Sequence, residues 1–476
     1  MEPRGLTTSP LSLGAERGAA LDCAVELLRA AMQSFDSPRP GQPPLTPESV
    51  QLLAQPLPGI GVGAVVALGE AAALLDQSLA QSRPRFFGYV GSSGLEVAVF
   101  ADALAVAHDV NLASGAAAAT LVEQQVISWV GDFVGFGSAV GAISSGGMVS
   151  NLTALAAARE HALPGSRRTG ADGRGRLYCS AEAHSSIERA VELLGLGSAS
   201  LRCVRLDAHR RMDTVALDEL ISADVAAGLV PIAVVATAGT TLTGAVDPLA
   251  AIADVCAAHR VWLHVDGAYG LPAAAAPSTA ALFAGLDRAD SATVDAHKWL
   301  FVPKACGVLL VRDRAALRAA FGHSAAYMID ELENPVDETL EYSRPFRALK
   351  LWAAFRAHGA AAFRSAIEAN IELAKRLAAT VNIHPRLELL VEPQLSIVAF
   401  RVLADVADLN AHNQAVVAAL QHQGDVYVTS AVVDGIACLR PCFTNFRTVA
   451  ADVDDLVNKV LTTSAALVRA TPNLRP

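Results

Sequence analysis

Lys298 stands in the run Asp295-Ala296-His297-Lys298-Trp299, directly after the apolar stretch Ala292–Val294. Apolar neighbours favour the uncharged form of an amine, which is the form that attacks a carbonyl, so this lysine suits Schiff-base chemistry. A second charged residue ends another apolar run: Val261-Trp-Leu-His-Val265 leads into Asp266-Gly267-Ala268-Tyr269. A carboxylate at the end of a buried strand is costly unless a cation meets it. The alternative is an Asp that merely caps the next loop. A third feature is Ser144-Ser145-Gly146-Gly147-Met148-Val149-Ser150-Asn151, a glycine turn opening into a helix. Glycines let backbone N–H groups approach an anion, and the start of a helix favours negative charge. It is neither a Walker loop nor a dinucleotide fingerprint, and alone it could be a simple tight turn.

Together these residues match one cofactor. Pyridoxal 5'-phosphate requires an anion cradle, a lysine for its aldehyde and a carboxylate facing the pyridine nitrogen. His184, in Ser180-Ala-Glu-Ala-His184-Ser185-Ser186, follows another strand end and could lie flat over the ring; taken singly it would be a loop or helix-cap histidine.

The elements that must position these residues are readable in outline. A short strand running into a turn (141–147) and apolar runs of strand length (176–180, 201–206, 232–237, 261–265 and 292–294), most of them separated by helical stretches, lie between about 86 and 345. Such alternation predicts an α/β domain with a mostly parallel sheet and helices on both faces. In these sheets ligands collect at the carboxyl ends of the strands. Residues 1–85 predict an N-terminal helical segment, with helices over 19–34 and 64–82, and Thr46 capping a helix that begins at Pro47. Residues 346–476 predict a small C-terminal α+β domain, with helices over 346–358 and 361–381 and strands over 387–391, 397–402, 426–428 and 436–439.

Composition narrows the function classes. Hydrophobic residues make up 52% of the 476 and charged residues 18%, which excludes a disordered chain. The most apolar stretches are broken by Pro and Gly, so no membrane span is expected. Net charge is −10, with no Lys/Arg-rich run, so nucleic acid is not an expected partner. The seven cysteines are scattered without a CxxC pair, which predicts neither a disulfide framework nor a metal site. They fit small buried residues in a reducing cytoplasm. The first residues lack the apolar core of a secretion signal.

The sequence resembles the group II pyridoxal-phosphate-dependent amino-acid decarboxylases, the set that includes aromatic-L-amino-acid and glutamate decarboxylases. The resemblance runs from about Arg85 to Asp455. It rests on RFFGYVGS (85–92), SSGGMVSNLTALAAARE (144–160), AHSSIERA (183–190), ATAGTTLTGAVDPL (236–249), WLHVDGAYG (262–270), DAHKWLFVP (295–303), RPFRALKLWAAFRAHG (344–359) and LRPCFTNFRT (439–448). It implies an aspartate-aminotransferase-like fold (PLP fold type I). It also implies that Lys298 carries the cofactor, that Asp266 pairs with the pyridine nitrogen and that Ala268 and His184 sandwich the ring. Gly147, Met148, His297 and Asp295 would hold the phosphate, with Thr241 near the ring. Tyr89, Val90 and Gly91 would line the substrate mouth, and Arg440 would meet the substrate carboxylate or the closed loop. A homodimer with sites at its interface is implied, as is an amino-acid substrate.

The sequence departs from the family at several points. Met148 stands where a hydroxyl residue is frequent, Val149 where Glu or Met is frequent, and Val90 where aromatic-specific members have an aromatic residue. The mobile catalytic loop maps to about 328–343, is short and acidic, and is flanked only by Tyr327 and Tyr342. The expected reaction is decarboxylation of an L-amino acid, aromatic first. The alternatives are oxidative conversion to an aldehyde, transaminase or lyase chemistry, and a non-enzymatic cofactor-binding scaffold.

Overall fold

The structure, a computed structural model, describes residues 11–39, 41, 44–113, 115–323 and 334–470. Seven strands form the larger sheet: β1 (Val140–Ser144), β2 (Gly175–Ser180), β3 (Leu201–Val204), β4 (Val230–Thr237), β5 (Trp262–Asp266), β6 (Ser291–Asp295) and β7 (Gly307–Val311). Their spatial order is β1-β7-β6-β5-β4-β2-β3. The run β3-β2-β4-β5-β6 is parallel throughout, whereas β7 is antiparallel to both of its neighbours. The sequence reading missed β7; its five apolar residues follow β6 after only a short connection, too short for the crossover helix of a parallel strand.

Successive side chains along a strand point to opposite faces, and the strands here bury both. Val234, Ala236, Leu263, Val265, Ala292 and Val294 join one core, shared with the helices Ala118–Val134 and Leu249–His259. Ala233, Val235, Trp262, Leu309 and Val311 join another, shared with the helix Gly147–Ala162. That helix lays Ala154, Ala156, Ala157 and Ala158 against the sheet, all buried. Alanine's small side chain allows the close approach.

A second sheet joins β8 (Leu387–Val391), β9 (Ala399–Val402), β10 (Thr429–Val433) and β11 (Ile436–Arg440), all antiparallel, in the order β10-β11-β9-β8. The expected strand at 426–428 is only a single bridge, in which Tyr427 pairs with Phe86; the regular strand begins at Thr429. The helix Ala348–Ile383 turns sharply at Gly359, whose φ of 73° is open to glycine at little strain. The two helices expected over 346–358 and 361–381 meet at this break.

Near the N-terminus, Thr46 caps the helix Pro47–Leu53 by accepting from Ser49 N–H at 3.2 Å. The helix expected over 64–82 stops at Asp76. Gln77 ends it by turning its side chain back, donating to Ala73 O and Ser49 Oγ and accepting from Thr46 N–H. Among the described residues no helix is long and apolar enough to cross a membrane, and all seven cysteines are free.

Candidate active site

Four neighbouring strands end on polar residues. Ser180 closes β2, Thr237 closes β4, Asp266 closes β5 and Asp295 closes β6. All four are buried. Ser180 Oγ, Thr237 Oγ1 and Asp295 Oδ1 are shielded from water and lack a hydrogen-bond partner. Buried polar atoms are normally paired, so this row of strand ends is prepared for something else.

Asp266 is 5% exposed. Its Oδ2 accepts from Asn151 Nδ2 at 3.0 Å and its Oδ1 from Ala268 N–H at 3.2 Å. Lys298 lies on the short helix Ala296–Trp299 that follows β6, with Nζ 3.0 Å from Asp295 Oδ2. The apolar setting read from the sequence therefore holds a carboxylate as well. His297 Nε2 is 3.8 Å from the same oxygen. His297 Nδ1 lies 3.2 Å from Cys306 O and 3.3 Å from Cys306 N, so the backbone of Cys306 fixes the ring and leaves Nε2 facing Asp295. Burial is the largest influence on this imidazole and lowers its pKa, against the opposing pull of Asp295.

The glycine turn faces these groups. Gly146 is the N-cap residue of the helix Gly147–Ala162 and brings no side chain to the first-turn N–H groups. A Cβ on Gly147 would lie 2.9 Å from Asp295 Oδ2 and 3.0 Å from Ala268 Cβ; one on Gly146 would lie 3.4 Å from His297 Cε1. Met148, in the first turn, is half-buried. The structure thus gathers Gly147, Ala268, Asp295, His297 and Lys298 around one cradle, with Asp266 beside Ala268.

The remaining residues lie around this centre. His184 is exposed; its Nδ1 accepts from Ser186 N–H at 3.1 Å. Ser186 Oγ in turn accepts from Asn151 Nδ2 at 3.1 Å, so His184 and Asp266 are linked through one amide. Thr241 is exposed, and its carbonyl accepts from Arg440 Nη1 at 3.0 Å. Arg440 is buried and also donates to Thr429 Oγ1, so it ties the loop after β4 to the smaller sheet. Tyr89 is half exposed, with its hydroxyl 3.2 Å from Tyr427 Oη. Tyr427 stacks on Phe86 with ring centres 4.7 Å apart. Val90 is half-buried. Residues just beyond reach the Lys298 region: Leu95 N–H donates to Phe301 O and Ser92 Oγ to Val302 O.

The expected catalytic loop divides in two. Residues 328–333 and Tyr327 lie outside the described residues. Residues 334–343 are docked: Val336 N–H donates to Ala113 O, and buried Glu338 accepts from Arg318 at 3.0 Å. Tyr342 is exposed.

Three residues that sequence reasoning passed over also belong here. Asn151, His264 and Ser291 are essentially inaccessible and hydrogen-bonded to one another behind Asp266. A polar His264 within the apolar run Val261–Val265 was the available signal.

Pyridoxal phosphate fits this donor set. The capless helix start and the His297 imidazole suit a phosphate, the Asp266 carboxylate suits a protonated ring nitrogen, and Lys298 supplies the amine. A model for the pyridoxal-dependent decarboxylase conserved domain matches residues 65–403. An aromatic-L-amino-acid decarboxylase from Bacillus atrophaeus is 35% identical over 390 residues, covering 79% of this chain and 80% of that one. An L-2,4-diaminobutyrate decarboxylase from Rhizobium meliloti (strain 1021) is 33% identical over 422 residues, 85% of this chain and 82% of that one. A crystal structure of Oryza sativa TDC with PLP and tryptamine aligns with a TM-score of 0.88 at 28% identity, covering 97% of this chain and 100% of that one. The fold is that of the aspartate-aminotransferase-like enzymes, as the resemblance implies.

Proposed function

The chain belongs to the pyridoxal-dependent decarboxylase family, and from that premise we propose that it converts an aromatic L-amino acid to its amine and CO2. The observation that carries this is the placing of a lysine after β6, a bare helix start after β1 and a partnered carboxylate at the end of β5 around one cradle. The aromatic preference is supported by the identity to the Bacillus atrophaeus enzyme and by the cluster that Phe86 and Tyr89, on the segment that reaches Phe301 and Val302, form with Tyr427.

Bound pyridoxal phosphate supplies a sink for the electrons left when CO2 departs. The chain does the rest. Lys298 Nζ would hold the cofactor through its aldehyde carbon and yield that carbon to the substrate amine, and Asp295 stands beside the lysine nitrogen so released. An ionised carboxylate opposes a phosphate, so the anion falls to the N–H groups of Gly147 and Met148 and to the His297 imidazole. Asp266 keeps the ring nitrogen protonated. Ala268 and His184 bound the two faces of the ring, and Thr241 lies at its edge. Tyr89 and Val90 line the approach. Arg440 acts by holding the Thr241 loop. The proton that replaces CO2 comes from Lys298 Nζ, His184 or a loop tyrosine. Orientation and placed charge are the protein's main contribution.

A homodimer completes this reading. The helices Arg17–Ser34 and Ala64–Asp76 leave Leu21, Val25, Leu28, Val65, Val66 and Leu75 exposed, an apolar surface that a second copy would cover. The exposure of His184 and Thr241 suits a site closed by that copy. We divide the chain into an arm (1–85), a cofactor domain (86–345) and a small domain (346–476), and assign it to the cytoplasm, where seven free cysteines are at home. The test is a panel of L-amino acids scored for CO2, amine, aldehyde and H2O2. Amine and CO2 in equal amounts, fastest from an aromatic substrate, are expected. Aldehyde with H2O2 would replace the reaction, and a faster basic or acidic substrate would replace the specificity.

A further inference from the structure

Behind Asp266 runs a chain of side-chain hydrogen bonds sealed from solvent. Trp262 Nε1 donates to Ser291 Oγ at 2.8 Å. Ser291 Oγ is 2.8 Å from His264 Nδ1, and His264 Nε2 is 3.0 Å from Asn151 Oδ1. Asn151 Nδ2 then reaches Asp266 Oδ2 at 3.0 Å and Ser186 Oγ at 3.1 Å. His264 and Ser291 have no exposed surface, and Asn151 has 1%.

The direction of this chain follows from which atoms carry protons. An indole N–H can only donate, so Ser291 Oγ accepts from Trp262. The single serine hydroxyl proton then has His264 Nδ1 to go to. A neutral imidazole with Nδ1 as acceptor carries its proton on Nε2, which donates to Asn151 Oδ1. That turns the Asn151 amide N–H groups toward Asp266 and Ser186. Complete burial keeps the imidazole neutral by lowering its pKa to about 4, although the Asp266 charge pulls the other way. The reversed chain is also definable: His264 Nδ1–H would donate to Ser291, and Asn151 Oδ1 would face Asp266. It leaves the buried Ser291 proton without a partner, and it sets two acceptors together unless Asp266 is protonated. The two directions therefore correspond to two protonation states of Asp266.

We propose that His264, acting through Asn151, is a positioning residue that holds Asp266 as an ionised acceptor, so that the proton shared with the cofactor resides on the ring nitrogen. Because Asn151 also holds Ser186, whose N–H fixes His184, one amide aligns both the edge-on and the face-on partner of the ring. The proposal rests on the pairing of Asp266 with that nitrogen.

The test uses the holoenzyme reconstituted with pyridoxal phosphate carrying 15N in the ring. The wild type should give the shift of a protonated ring nitrogen. His264→Leu removes the donor to Asn151 and should move the shift toward the unprotonated value. Its kcat should fall roughly 10- to 100-fold, the range known for residues that orient metal ligands from the outer shell. His264→Gln, which can still donate to Asn151, should restore the wild-type shift and most of kcat. The thermal midpoint of the cofactor-free proteins shows whether each variant folds. If His264→Leu does not, Ser291→Ala, which removes only the hydroxyl between Trp262 and His264, should move the shift in the same direction. A protonated-nitrogen shift in every folded variant overturns the relay and leaves the proposed function standing. A wild type that takes up no pyridoxal phosphate overturns the Asp266 assignment itself.

Discussion

Lys298 Nζ lies 3.0 Å from Oδ2 of Asp295, the residue that both ends β6 and stands immediately before the short helix carrying the lysine. One strand end therefore delivers the amine and its counter-charge together, and the two can be separated by mutation. Lys298→Ala should abolish the visible absorbance of bound cofactor and lower activity by several orders of magnitude, because no other group replaces the nucleophile. Lys298→Arg keeps a cation against Asp295. It should hold the wild-type thermal midpoint more closely than Lys298→Ala while also lacking the band. Normal cofactor absorbance in Lys298→Ala would remove Lys298 from its role.

The cradle predicts a different signature. Gly147 has ordinary helical geometry, so alanine is allowed by the backbone and favoured by helix propensity. The added Cβ, however, would press on Asp295 Oδ2 and Ala268 Cβ at 2.9 and 3.0 Å. Gly147→Ala should cost the cofactor-free protein about 1–3 kcal/mol of stability, as overpacking does, and also weaken pyridoxal phosphate binding, because the groups it displaces frame the cradle. Fluorescence titration of cofactor into apoprotein measures it. Unchanged affinity would mean that the anion binds elsewhere.

How much of this was legible beforehand depends on residue type and context. Asp266, Lys298 and the Gly146-Gly147 turn stood out because charges and paired glycines are rare at the ends of apolar runs. β7 was missed because a five-residue apolar run carries no mark of strand direction. The end of the helix at Asp76 was missed because Gln77 stops it through contacts with Thr46 and Ser49, some thirty residues away. Asn151 carries no mark of its role, since nothing local says that a helix residue faces a strand 113 positions later. The docking of 334–343 depends on Arg318 and Ala113, which are distant in sequence.

Stability has its own buried hinge. Arg344 and Glu123 form a two-pronged ion pair at 2.8 and 3.1 Å, and Arg344 also donates to Ile143 O in β1, the strand that feeds the cradle. The Arg344 side chain is 1% exposed. Glu123→Gln leaves a guanidinium buried without its counter-charge, which costs about 3–5 kcal/mol. Urea denaturation should show a loss of that order, and the double variant Glu123→Leu/Arg344→Met should recover part of it. Equal losses in both would mean that packing, rather than charge, governs the site.

His264 also gives stability a pH dependence with a defined sign. Its pKa falls from 6.5 in the unfolded chain to about 4 in the fold, chiefly through burial. Between those values the unfolded state binds the extra proton, so this residue makes stability rise with pH across the window and fall as acid is added. Asp247 works in the opposite direction. Its carboxyl is buried and pushed up from 3.8 to about 6, mainly by desolvation, although Thr237 and Met212 N–H groups donate to it. The folded state then holds the extra proton, so Asp247 stabilises most below pH 3.8 and loses that contribution as pH rises through 6. The two slopes oppose each other between about pH 4 and 6, which hides both in the wild type. His264→Gln removes one of them. The stability of wild type minus that of His264→Gln should therefore increase from pH 4 to pH 6.5 by up to ~3 kcal/mol, at 1.36 kcal/mol per pKa unit. Urea titrations at half-unit pH steps provide the measurement, and a difference that stays flat across that window would mean that His264 is not held neutral in the fold.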